Sequence, residues 1–149
     1  SSIERHASSL IFAGQLSRCD ADIVALLRCA MGGLLELQEL WKARQFDKAL
    51  ALVDRLLSQS PECPYLLVSR GILIQLLDHG EGPPLEEAER SFLEALTFAP
   101  DNLDTLEELA HYYDSVAPNA EKAKFYAEQY LKRAEPALEK IKKILTQDV

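Results

Sequence analysis

Two stretches of this chain repeat one another at a fixed distance, and no other feature limits its possible folds as much. Residues 49–61 read ALALVDRLLSQSP and residues 88–100 read AERSFLEALTFAP. Ala49, Val53, Leu56 and Pro61 correspond to Ala88, Phe92, Ala95 and Pro100 at a constant offset of 39. In each stretch small or apolar residues recur at four- and three-residue steps, which gathers them on one face of a helix. Each ends at a proline, which biases the residue before it towards extended backbone. A weaker third copy follows, because Ala123, Ala127 and Tyr130 stand 35 positions after Ala88, Phe92 and Ala95.

The segments between these copies also read as helix. Leucine, alanine and glutamate outweigh the β-branched residues, and no strand-like alternation persists anywhere. The N-terminal segment suggests a helix over residues 2–15, then another from the Asp20 cap to about Ala43. Gly32-Gly33 lies inside that second pattern, where it either breaks the helix or admits a close neighbour. Helix is expected from Asp47 to about Ser58, and over 65–77, where YLLVSRGILIQLL is apolar nearly all round and should be buried on more than one side. DHGEGPP (78–84) is a loop, with two glycines and two prolines. Helices then span 85–98, 103–115 and 120–134, and Pro136 suits the first turn of a last helix. The expected class is all-α, in a single domain over 1–149.

Placing an A helix before each repeated B helix aligns Gly71 with Ala110, Leu67 with Leu106 and Ile74 with Tyr113. With Ala88-x3-Phe92, Ala95 and Pro100, this resembles the tetratricopeptide repeat family and its W-x2-L-G-x2-Y…A-x3-F…P pattern. The resemblance covers residues 30–135, as repeats at about 30–63, 64–102 and 103–135. It implies a right-handed superhelix of antiparallel helix hairpins, with an N-terminal helical segment (1–29) and a C-terminal capping helix (136–149). Small residues would let paired helices close, while Phe92 and Tyr113 fill the space between neighbours. The chain departs from the pattern in several places. Leu37 takes the small position of the first repeat, Gly33 stands where a large apolar residue is usual, and about five extra residues enter the second repeat. The third repeat has Ala127 where a bulky residue belongs and Glu135 in place of the closing proline.

By this resemblance the A helices line a concave groove suited to binding a peptide or helix. The inward positions would be Met31, Leu34, Leu35, Gln38 and Trp41, then Tyr65, Val68, Ser69, Ile72 and Gln75, then Asp104, Glu107, Glu108, His111 and Asp114. The groove would be apolar over two repeats and acidic over the third, fitting a protein or peptide with apolar anchors and basic residues. Two other outcomes stay open. The N-terminal helices could cover Met31, Leu34, Tyr65 and Val68 and so cap the stack, or the surface could pair two copies as a homodimer. The family's carboxylate clamp, built from Lys, Asn and Arg, is not matched. Leu34, Gln38, Ser69, Asp104 and Glu108 stand at its places, and two anions there would repel a carboxylate.

Charge and composition narrow the function classes. A formal charge of −8 opposes non-specific nucleic-acid binding, which runs on phosphate neutralisation. No apolar run approaches the roughly 20 residues of a membrane span. Cys19, Cys29 and Cys63 show no CxxC spacing, and His6, His79 and His111 fall in no metal-binding pattern. No phosphate-binding loop is present, since DHGEGPP lacks the following Lys-Ser/Thr. No catalytic residue, metal or cofactor is therefore expected, and a cytoplasmic setting is the default. The expected function is a non-enzymatic interaction module, an adaptor or chaperone-like scaffold. The alternative is a structural subunit whose repeats mediate homo-oligomerisation or assembly of a larger complex. The last helix carries Leu138, Ile141, Ile144 and Leu145 on one stripe, expected to cap the stack or, alternatively, to meet a membrane surface or a partner.

Overall fold

The structure, a computed structural model, describes residues 32–77, 80 and 82–147. The expectations for residues 1–29, and for Met31, lie outside the described residues. All regular structure among those described is helical. The elements are α1 (32–42), α2 (Phe46–Gln59), α3 (Pro64–Leu76), α4 (Leu85–Phe98), α5 (Leu103–His111), a five-residue π-helical segment (Tyr112–Val116) and α6 (Ala120–Thr146). The chain divides into two compact units, Ser1–Leu56 and Leu57–Val149.

In the first unit α1 and α2 form an antiparallel hairpin. A Cβ built on Gly33 would stand 2.7 and 3.1 Å from the two methyls of Leu56, and Arg55 lies 3.7 Å from Glu36. Nearer the turn, Trp41 meets Phe46 edge-on at 6.2 Å. Both glycines of the Gly32-Gly33 pair are helical, and Gly33 admits a close neighbour instead of breaking α1. Gln45 N–H donates to the Leu40 carbonyl and Arg44 N–H to that of Trp41, the paired bonds of a Schellman end. Arg44 holds the left-handed position at φ 57°, where glycine is usual.

The second unit stacks two further hairpins. In the first, Gly71 lies against Phe92, where an added Cβ would stand 2.6 Å from Cζ and 2.8 Å from Cδ1. Arg70 reaches both Glu87 (3.3 Å) and the Ser91 hydroxyl (2.9 Å), tying α3 to α4 in antiparallel sense. α4 then packs on α5: Phe92 meets Tyr112 edge-on at 6.4 Å, and the Tyr112 hydroxyl donates to the Leu85 carbonyl at 3.1 Å. α5 starts at Asn102, whose side chain accepts from both the N–H (2.9 Å) and the hydroxyl (3.0 Å) of the fully buried Thr105. α5 and α6 form the second hairpin, with Tyr113 stacked on Tyr126 at 5.7 Å and Arg133 bonded to Asp101 at 2.6 Å.

Gly71 against Phe92 and Gly33 against Leu56 bear on the departures noted for residues 30–63. On α3 the small residue is Gly71 and the large one a turn earlier is Leu67; on α4 Phe92 is followed by Ala95, and all four are buried. On α1 the order is reversed, with Leu37 taking the place of Gly71 and Gly33 that of Leu67, while α2 carries Val53 and then Leu56. Large still opposes small, displaced by one helical turn, so close packing survives an exchange that breaks the sequence pattern.

Three expectations are corrected in α6. The separate helix expected from Pro136 is absent, and α6 runs unbroken from Ala120 to Thr146 with Pro136 inside. Proline removes one intrahelical hydrogen bond, to the Lys132 carbonyl, but the surrounding Ala, Leu, Glu and Lys residues favour helix strongly enough to continue through it. Ala127, which stands where the expected third repeat would carry a bulky residue, is exposed, whereas Ala123, Tyr126, Tyr130 and Ala134 are wholly or partly covered. Beyond Ala134 every residue to Gln147 is exposed, so the stripe expected to cap the stack covers nothing among the described residues.

Candidate functional site

α3 is antiparallel to α4 and α4 to α5, so α3 and α5 run in the same direction, and the two are in contact. Their N-terminal ends therefore point the same way, with Tyr65 in the first turn of one and Asp104 in the first turn of the other. Tyr65 is 40% exposed although it lies in the first turn of the most apolar of the described helices. Ile72 and Gln75 are half-buried further along α3. Val68 and Ser69 are buried, and the Ser69 hydroxyl donates to the Tyr65 carbonyl at 2.8 Å, so neither side chain is presented on the open face.

On α5, Asp104, Glu107 and His111 are exposed and Glu108 is half-buried. Burial is the main cause that raises the Glu108 carboxyl above its usual value; His111 opposes the shift, and Glu107 and Asp104 reinforce it. Glu108 is thus a partly desolvated carboxylate near Asp104 and Glu107, with His111 counteracting them. His111 lies 3.9 Å from Glu107, one turn earlier, and not beside Asp114 as a regular helix would allow. The π-helical segment intervenes, and Asp114 instead accepts from the Ser115 hydroxyl at 3.0 Å.

The remaining candidates belong to the first unit. Leu34, Gln38 and Trp41 are half-buried on α1, and Leu35 is 54% exposed.

A second cluster, which the sequence did not reveal, joins α4, the π-helical segment and α6. The Tyr113 hydroxyl donates to Glu89, and Lys122 approaches both Glu89 (3.4 Å) and the Tyr113 oxygen (3.3 Å) while lying 4.6 Å above the ring. Burial foremost, then the bond to Glu89, pushes the Tyr113 phenol far above its ordinary range. Such a phenol is a poor acid or base near neutrality, so the cluster reads as a clasp between helices. Its residues are 24 and 33 positions apart in sequence, and no local spacing could have signalled them.

Among the described residues no group of His, Cys, Asp and Glu could hold a metal, and no helix is long and apolar enough to cross a membrane. Cys63 sits half-buried at the turn before α3, beside an open depression that it lines with Ser60, Pro61 and Glu62. Compared with family models, curated proteins and solved structures, the chain gives no significant match in any of the three. The functional reading therefore rests on the residues themselves.

Proposed function

We propose that this protein is a non-enzymatic binding module that holds a peptide or helix against the face formed by α3 and α5. The hairpin order supports a tetratricopeptide-like stack, in which α3–α4 and α5–α6 are successive units of a right-handed superhelix and α3 and α5 are the helices that line its concave side. The observation that carries the reading is that two contacting helices running the same way bear an exposed aromatic on one and an acidic row on the other. Tyr65 is a large amphipathic anchor of the kind that dominates interface energetics, and Asp104, Glu107 and Glu108 on α5 supply charge. The partner is a protein segment with apolar residues at helical spacing followed by Lys or Arg. A basic side chain would meet the half-buried Glu108 and relieve its unfavourable charge.

Fluorescence anisotropy with a labelled peptide of alternating Leu and Lys at helical spacing, and with its Leu/Glu counterpart, tests this. The Lys peptide should bind at least about tenfold more tightly, and Glu107→Lys/Glu108→Lys should abolish or invert that preference. Tyr65→Ala should weaken the Lys peptide by about tenfold or more. Equal binding of both peptides by wild type and variant would remove the face from consideration.

A further inference from the structure

α6 outruns its partner. Its residues up to Ala134 lie along α5, and the bond from Arg133 to Asp101 marks where α5 begins. Twelve more residues, 135–146, continue the helix for about 18 Å past that point. Throughout this extension the side chains are exposed, including Leu138 at 51%, Ile141 at 56%, Ile144 at 60% and Leu145 at 74%. Ala134, Leu138, Ile141 and Leu145 follow steps of four, three and four, the a/d seam of a coiled coil, and they prolong the same side of α6 that meets α5. Such a seam left open to water is unfavourable, and its regularity suits another helix of the same kind.

The charges on the extension say which helix. Glu135 and Glu139 precede Lys140, Lys142 and Lys143, so the segment is acidic at its start and basic at its end. Beside the seam, Glu135 and Lys142 occupy equivalent e positions, which face one another when two such helices pair antiparallel. We propose that residues 134–146 of α6 form an antiparallel self-association surface whose occupant is the same segment of a second copy. Leu138 of one copy packs on Ile141 of the other, Ala134 on Leu145, and each Glu135 meets Lys142 across the seam. In a parallel pair the e positions would instead face g positions, here Tyr130 and Ala137, and the Glu135–Lys142 match would be lost. Lys142 already bonds Glu139 at 2.9 Å, but both side chains are largely exposed, and exchanging such a surface pair costs little. About a dozen residues on each side is less than a standard interface, so the dimer is a weak one that forms at about 10 to 100 µM. The seam shares no residue with the α3–α5 face, so the two proposals are tested separately.

Sedimentation equilibrium of the full chain from about 1 to 500 µM, together with co-sedimentation on phosphatidylserine vesicles, tests the proposal. Wild type should approach twice the monomer mass at the upper end, and Ile141→Glu should raise the dissociation constant at least about tenfold with an unchanged circular dichroism spectrum. Glu135→Lys and Lys142→Glu should each weaken association, and the double exchange should restore it. A wild type that stays monomeric throughout overturns the proposal, and binding of that monomer to the vesicles would assign the stripe to a membrane surface. Association that ignores Ile141→Glu places the contact elsewhere and equally overturns it. A double exchange no better than either single one rules out the antiparallel arrangement.

Discussion

Replacing Gly71 with alanine sets two free energies of known sign against each other. In a helix interior alanine is favoured over glycine by about 0.8 to 1 kcal/mol, so propensity alone predicts a more stable protein. The added Cβ, however, would stand 2.6 and 2.8 Å from ring carbons of Phe92, where ordinary carbon contacts are about 3.5 to 4.0 Å. Something must move by about 1 Å. Phe92 is fully buried, and Tyr112 closes on it edge-on at 6.4 Å, itself fixed by its bond to the Leu85 carbonyl. With the ring boxed in, the cost falls in the upper part of the range of about 1 to 3 kcal/mol for overpacked cores. The net expectation is a loss of about 1 to 2 kcal/mol, a Tm lowered by about 2 to 6 °C. Gly32→Ala is the control, since nothing lies within 4 Å of a Cβ there, and it should keep the propensity gain. Phe92→Leu, destabilising alone, should cost less in the Gly71→Ala background, because the smaller side chain relieves the overlap. A Gly71→Ala protein that melts as high as or higher than Gly32→Ala would refute the close approach of α3 and α4.

Arg44→Gly should raise stability by about 0.5 kcal/mol, because releasing a left-handed arginine outweighs the loss of its contact with the Phe46 ring at 5.5 Å; thermal melting checks the sign. Tyr113 has a folded pKa above its unfolded value, so the fold retains a proton that the unfolded chain loses above about pH 10. Stability should therefore fall as pH rises past 10, and urea titrations of Tyr113→Phe should show a shallower decline. Glu108 is also raised, which makes its charged form unfavourable: its contribution improves as pH falls through the folded value and is complete below the ordinary value of 4.5. Binding of a basic peptide should change in the opposite direction, weakening on acidification through that window, and Glu108→Gln should flatten the pH profile.

Much of the helical framework was legible because it rests on local chemistry. The spacing of Ala88, Phe92 and Ala95 put a helix at 85–98, where α4 lies, and Asn119 caps α6 after the expected turn. Gly71 was identifiable as a close-approach position, and the Phe92 ring fills the space it leaves. The candidate face was legible only as positions on helices. Tyr65 and Val68 are three residues apart with similar apolar character, yet one is exposed and the other buried. Their difference depends on neighbours distant in sequence.

The sequence by itself determined the helical class, most helix ends and the small-to-large complementarity of the hairpins, because propensity, capping and periodicity act over a few residues. Tertiary structure alone decided which side of α6 is covered and where that cover stops. It also joined Glu89, Tyr113 and Lys122. Those outcomes turn on the relative lengths of α5 and α6 and on contacts between residues dozens of positions apart, which no local pattern records.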